Sequence, residues 1–223
     1  MKKIEYIKPG TFSKNVPTDA RRQTFDFYNE SIICTKKRPD VLFIGDSITE
    51  LWELYAYFDT DKFLVNRGIG GDTSEYLLKR LEADCLQLNP KTVVLMIGTN
   101  NIFRAEPDYW WRQDGIDRET VLEEYKQDIL QIIEKIESKS IELVLCSVPP
   151  SEIAPPFDRE LRFEMTAKMN EFLKSLGKTF VDYTDVLSND GKTLIYDYSP
   201  DGIHPNAYGY TEMAKKLKEY IDL

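Results

Sequence analysis

Four short runs along the chain are apolar at nearly every position: Val41–Ile44, Phe63–Val65, Thr92–Ile97 and Ile141–Ser147. A fifth, weaker run is Thr179–Val181. Stretches such as TVVLMIG and ELVLCSV do not alternate apolar with polar residues, so they suit strands covered on both faces of a parallel sheet. Between them lie segments with a helical period. Thr73–Leu88 sets Tyr76, Leu77, Leu81 and Leu88 near one stripe. Glu119–Ser138 spaces Leu122, Tyr125, Ile129, Ile132, Ile133 and Ile136 at three- and four-residue steps, with acids and lysines opposite. Arg159–Leu176 and Asn206–Ile221 repeat the pattern, the latter directly after Pro205, a helix-start signal. Strand and helix alternate along the chain, which predicts a doubly wound three-layer α/β/α sandwich around a five-stranded parallel sheet. No internal repeat, low-complexity tract or linker interrupts it, so residues 1–223 read as one domain. Residues 1–39 form an N-terminal extension with an extra helix around Thr18–Cys34, laid on the core.

Composition narrows the partners. Against 29 Lys and Arg stand 38 Asp and Glu, a net charge of −9, with a pI near 4.8. That balance argues against nucleic acid and against anionic lipid surfaces, both of which want a basic face. Aromatic residues at 12% of the chain argue against disorder. No apolar run approaches the roughly 18 residues of a membrane span. The opening MKKIEYIKPGTFSK lacks the apolar core of a secretory signal. Cys34, Cys85 and Cys146 are widely spaced, and the chain has a single histidine. A zinc cluster therefore lacks ligands, and the cysteines read as reduced thiols of a cytoplasmic protein without metal or cofactor.

The expected strand order is the flavodoxin-like 2-1-3-4-5, in which ligands bind outside the carboxyl ends of the strands near the switch point. The residues that follow each strand are therefore the ones to read for chemistry. After the first comes Gly45-Asp46-Ser47-Ile48-Thr49-Glu50, where a serine on a tight strand-to-helix turn projects its hydroxyl beside helix-start amides. An ordinary turn with a helix cap has the same sequence. After the second comes Asn66-Arg67-Gly68-Ile69-Gly70-Gly71-Asp72-Thr73-Ser74. Its glycines let backbone amides approach a ligand. A dinucleotide-binding loop is the rival reading, but Thr73 stands where its third glycine belongs. After the third comes Gly98-Thr99-Asn100-Asn101, whose asparagines can aim amide donors into the crevice or cap a turn. After the fifth comes Tyr198-Ser199-Pro200-Asp201-Gly202-Ile203-His204-Pro205, with Asp201 within reach of the lone His204 imidazole. Each segment has a bland structural reading alone. Together, on one rim, they supply a nucleophile, amide donors, a base and an orienter.

At these four blocks the sequence resembles the SGNH hydrolases, also called GDSL-type esterases and lipases. Gly45-Asp46-Ser47 looks like the first block of that family, Gly68-Ile69-Gly70-Gly71-Asp72-Thr73 like the second, Gly98-Thr99-Asn100-Asn101 like the third and Asp201-Gly202-Ile203-His204 like the fifth. The resemblance runs from about Val41 to Tyr210. NRGIGGDTS with GTNN is most similar to the platelet-activating-factor acetylhydrolase-like and carbohydrate-acetylesterase branches. By position it implies Ser47 as nucleophile, His204 as general base and Asp201 as its orienter. It also implies an oxyanion hole made by the Ser47 and Gly71 N–H groups and the Asn100 side chain, and an acyl-enzyme mechanism without metal or cofactor. Physically, a serine hydroxyl needs such a base, and the oxyanion needs such donors.

On the substrate side, Ile102–Ile116 reads as a long irregular stretch, and loops of this length are usually functional. Tyr109, Trp110 and Trp111 are candidates to line an acyl or leaving-group pocket or to stack on a sugar, or else to pack the loop down. Asp46, beside the nucleophile, is a further substrate-binding candidate. The proline-stiffened Val148–Asp158 segment is expected to wall the site from the opposite side. The expected activity is hydrolysis of short-acyl, most simply acetyl, esters of a small molecule such as a carbohydrate. Acyl transfer from the same site and a non-catalytic binding module are the alternatives.

Overall fold

The computed structural model describes residues 4–10, 16–106, 115–153 and 158–223. In chain order its elements are α1 (Val16–Cys34), β1 (Val41–Gly45), α2 (Ser47–Glu50), α3 (Leu54–Tyr57), β2 (Leu64–Gly68), α4 (Ser74–Asp84), β3 (Thr92–Met96), α5 (Thr99–Phe103), α6 (Arg118–Glu137), β4 (Glu142–Cys146), α7 (Arg159–Ser175), β5 (Thr179–Val181), α8 (Thr184–Leu187) and α9 (Ala207–Leu217). The five strands form one parallel sheet in the order β2-β1-β3-β4-β5.

Alternate residues of each central strand feed two cores. Leu42 and Ile44 of β1 and Val93 and Leu95 of β3 pack with Leu77, Leu81, Ile129, Ile132, Met165 and Met169 from α4, α6 and α7. Val41, Phe43, Val94 and Met96 pack on the other face with Trp52, Phe58, Leu187, Met213 and Leu217, beneath α2, α3, α8 and α9. Burial on both faces explains why these strands carry no polar alternation.

The helices start where side chains can serve their first free N–H groups. Asp117 accepts from Thr120 N at 3.0 Å, Asp158 from Leu161 N at 3.0 Å and Asn206 from Tyr208 N at 2.9 Å. Each such cap contributes about 1 kcal/mol. Three boundaries differ from expectation. Strand β2 runs through Asn66-Arg67-Gly68, paired with Phe43-Ile44-Gly45; Arg67 is buried there because the Asn29 side chain accepts from its guanidinium at 2.8 and 3.1 Å. The helix expected over Thr73–Leu88 ends at Asp84 and gives way to a 3-10 turn, Leu86–Leu88. The stretch Ile102–Ile116, expected to be irregular, begins with the last residues of α5.

Candidate active site

Four elements bring their carboxyl-end loops to one edge of the sheet. Ser47 opens α2 directly after β1, held by Asp46 as the N-cap, whose carboxylate accepts from Ile48 N at 3.0 Å. From the far end of the chain, the loop before α9 brings His204 back to it: Ser47 Oγ lies 2.8 Å from His204 Nε2. The other ring nitrogen, Nδ1, lies 2.6 Å from Asp201 Oδ2.

The loop that carries this pair is braced locally. Asp201 Oδ1 accepts from the backbone N–H groups of Ile203 at 2.9 Å and His204 at 2.8 Å, and from the Ser199 hydroxyl at 3.2 Å. Partial burial opposes ionisation of Asp201, but the His204 hydrogen bonds and the Ile203 N–H outweigh it and lower its pKa to about 2. Gly202 has φ +81°, and a Cβ there would fall 1.8 Å from the Glu152 carbonyl oxygen, so only glycine fits. Glu152 N donates to the Gly202 carbonyl at 2.7 Å, so the loop after β4 props the histidine loop. Tyr210 ties the two halves together from below: its buried hydroxyl donates to the Ile48 carbonyl at 2.7 Å. Its ring stacks on Trp52 with centroids 5.6 Å apart.

The turn after β2 comes up beside Ser47, and the start of α5 is fastened to that turn. The turn Ile69–Asp72 closes with Asp72 N on the Ile69 carbonyl at 3.1 Å, and Gly71 within it has φ +77°. A Cβ at Gly70 would stand 3.8 Å from Ser47 Cβ, which measures how close this turn comes to the hydroxyl. Asn100, in the first turn of α5, donates its side-chain amide to the Asp72 carbonyl at 2.9 Å. Since that amide has two N–H bonds, one remains to be offered elsewhere. Asp72 itself is fully buried, and Arg80 donates to its carboxylate through Nε at 2.8 Å, with Nη2 at 2.7 Å. Burial still pushes its pKa up, to about 6. Arg80 Nη2 also donates to the Gly45 carbonyl at 3.1 Å, which links the second block to the first.

Ser47, His204 and Asp201 are thus joined in series, and the turn that contains Gly71, with Asn100 fastened to its Asp72 carbonyl, lies against Ser47. Asp46 is not a surface for substrate. It is 1% exposed, and burial raises its pKa to about 7, with the Asp72 charge adding to the effect. Ser47, its neighbour in sequence, is half-buried, whereas the Asp46 side chain is a buried helix cap. Tyr109, Trp110 and Trp111 lie outside the described residues, as do Pro155 and Pro156. Glu106 accepts two hydrogen bonds from the buried Arg162, at 2.8 and 2.6 Å.

Residue-by-residue reading misses three supports: Ser199, Tyr210 and Glu50, the last accepting from Gly70 N at 2.5 Å. Only Ser199 carries a local signal, as the first residue of a Ser-Pro-Asp-Gly turn. Asn101, adjacent to the donor Asn100, has a purely structural task. Its amide accepts from Ser74 N at 3.1 Å and donates to Ser74 Oγ at 2.8 Å, fastening α5 to α4.

A serine, an imidazole and a carboxylate in hydrogen-bonded series are the arrangement of a serine ester hydrolase. Comparison with known proteins agrees. Residues 43–211 match the GDSL-like Lipase/Acylhydrolase family, so the chain belongs to that family. It is 31% identical over 201 residues to platelet-activating factor acetylhydrolase IB subunit alpha2 of Rattus norvegicus, covering 84% of this chain and 78% of that one. The structure of a GDSL-like lipase from Bacteroides thetaiotaomicron superposes with a TM-score of 0.69 at 26% identity, over 88% of this chain and 95% of that one. An acetylxylan esterase from Geobacillus stearothermophilus shares the fold, with a TM-score of 0.64 at 22% identity over 81% and 93% of the two chains.

Proposed function

We propose that this protein removes short acyl groups, chiefly acetyl, from the oxygen of a small water-soluble molecule such as a carbohydrate, through an acyl-enzyme on Ser47. The observation that carries the reading is the series Ser47 Oγ, His204 Nε2 at 2.8 Å, His204 Nδ1 and Asp201 Oδ2 at 2.6 Å, set beside the Ile69–Asp72 turn. In the first step His204 takes the Ser47 proton as Oγ bonds to the ester carbonyl carbon. The resulting oxyanion is met by the N–H groups of Ser47 and Gly71 and by the Asn100 amide. Collapse breaks the ester C–O bond, and the imidazolium returns its proton to the departing alkoxide. In the second step a water gives its proton to His204, its oxygen attacks the acyl carbon, and Ser47 leaves with that proton as the acid is released. Asp201, held ionised, keeps the imidazole in the tautomer with the proton on Nδ1.

The name of the acetylhydrolase relative and that of the acetylxylan esterase support acetyl as the group removed. Among the described residues no helix is long and apolar enough to cross a membrane. A cytoplasmic location belongs to the same proposal, supported by the free thiols of Cys34, Cys85 and Cys146. So does a single domain without a nucleic-acid partner, in keeping with the net charge of −9. The test is a panel of aryl esters from acetate to laurate, with wild type and Ser47→Ala compared throughout. Fast cleavage of the acetate, weak cleavage of the laurate and loss of turnover in Ser47→Ala are expected. Preference for laurate below its micellar concentration would refute the acyl assignment.

A further inference from the structure

The turn that presents Gly71 is held from outside itself. Positive φ at its third residue marks Ile69–Asp72 as a type II turn, whose central peptide joins Gly70 to Gly71. Nothing within a type II turn fixes that peptide, and flipping it converts type II to type I. The carbonyl of Gly70 and the N–H of Gly71 are opposite ends of this one planar unit and point in opposite directions. Whatever grips the carbonyl therefore aims the N–H.

The grip comes from α1. The Thr18 hydroxyl, on a residue with no solvent exposure, donates to the Gly70 carbonyl at 3.3 Å. On the other side of Gly70, its N–H donates to the Glu50 carboxylate at 2.5 Å. Glu50 is paired in turn with Arg21 at 3.2 Å, one turn along α1 from Thr18. Both polar atoms of Gly70 are thus bonded to side chains that lie 52 and 20 residues away. Thr18 and Arg21 precede the family match, which starts at residue 43. A hydrogen bond accepted by the carbonyl also polarises the peptide and strengthens its N–H as a donor.

We propose that Thr18 is a positioning residue for the reaction: with Glu50 opposite, it holds the Gly70–Gly71 peptide so that the Gly71 N–H faces the developing oxyanion. The N-terminal helix is on this account part of the catalytic apparatus, and the proposal rests on the reading of Ser47 as nucleophile and Gly71 as donor. Loss of one oxyanion donor outright costs serine hydrolases about a hundred- to a thousandfold in kcat. Loosening its aim should cost less.

The experiment measures kcat and KM for p-nitrophenyl acetate, with thermal melting, in wild type, Thr18→Val, Thr18→Ser, Glu50→Leu and Ser47→Ala. Valine keeps the shape of threonine without the hydroxyl. Thr18→Val should lower kcat about tenfold, a fraction of the loss of a whole donor, with KM within about twofold. Thr18→Ser, which keeps the donor, should restore kcat. Glu50→Leu should also lower kcat at constant KM, and it carries the test if Thr18→Val fails to fold. Unchanged kcat in Thr18→Val, an equal loss in Thr18→Ser, or a rise in KM alone would overturn the proposal. So would failure of both Thr18→Val and Glu50→Leu to fold, which would make these contacts structural. Turnover surviving in Ser47→Ala would instead overturn the parent reading, whatever the Thr18 variants do.

Discussion

Asn100 has one N–H on the Asp72 carbonyl at 2.9 Å, so its amide plane is fixed before any substrate arrives. Donors set in advance are worth most where charge appears only in the transition state. Asn100→Ala should therefore lower kcat by roughly a hundred- to a thousandfold with little change in KM. Steady-state kinetics with an aryl acetate would check this, and a rise in KM at constant kcat would mean that Asn100 binds the ground state. Asp201 makes a different kind of contribution. Its folded pKa of about 2 lies below the usual 3.8, because hydrogen bonds from His204 and Ile203 favour the charged form. The stability this gives is present above the ordinary carboxylate range and is lost as pH falls towards 2. Asp201 is consequently charged at neutral pH, where it faces the His204 ring. His204→Ala should abolish turnover of an aryl acetate in steady-state kinetics, since Ser47 then has no base within reach. Asp201→Asn should reduce kcat by about a hundred- to ten-thousandfold through loss of the tautomer.

Among the elements, α2 opens with Ser47 and the loop leading into α9 carries His204, and the Tyr210 hydroxyl on the Ile48 carbonyl joins the two helices across 162 residues. Tyr210→Phe keeps the ring on Trp52 but leaves a buried carbonyl without its donor, which should cost about 1–3 kcal/mol in denaturant unfolding. No loss of stability in that variant would mean that the bond contributes nothing net. The central strands β1, β3 and β4 were legible because burial on both faces leaves an unbroken apolar run. The last residues of β2 were not. Asn66, Arg67 and Gly68 read as loop, and what makes them strand is distant: Asn29 on α1 receives Arg67, while the Asn66 amide donates to the carbonyls of Thr49 and Trp52 at 2.7 and 3.0 Å. Helix α1 matches the helix expected around Thr18–Cys34, yet its hold on Gly70 has no local signature. Thr18 and Arg21 look like any polar positions of an amphipathic helix.

On the scale of the molecule, the doubly wound topology gathers residues from positions 47 to 204 at one sheet edge, and the order in which they occur was readable because each block keeps its chemistry contiguous. Distance and burial were not readable. Asp46 stands beside the nucleophile in sequence, but the chain turns its side chain inward, whereas Glu50 lies a turn further on and reaches the Gly70 N–H. The central claim is that Ser47 alone carries the acyl group. Its most direct test is to treat the protein with a fluorophosphonate and locate the adduct by peptide mass spectrometry. One adduct, on Ser47, with stoichiometric loss of esterase activity and no labelling of His204→Ala on the same timescale, is the result expected. An adduct on another residue that accounts for the lost activity, or full activity with Ser47 modified, would contradict it.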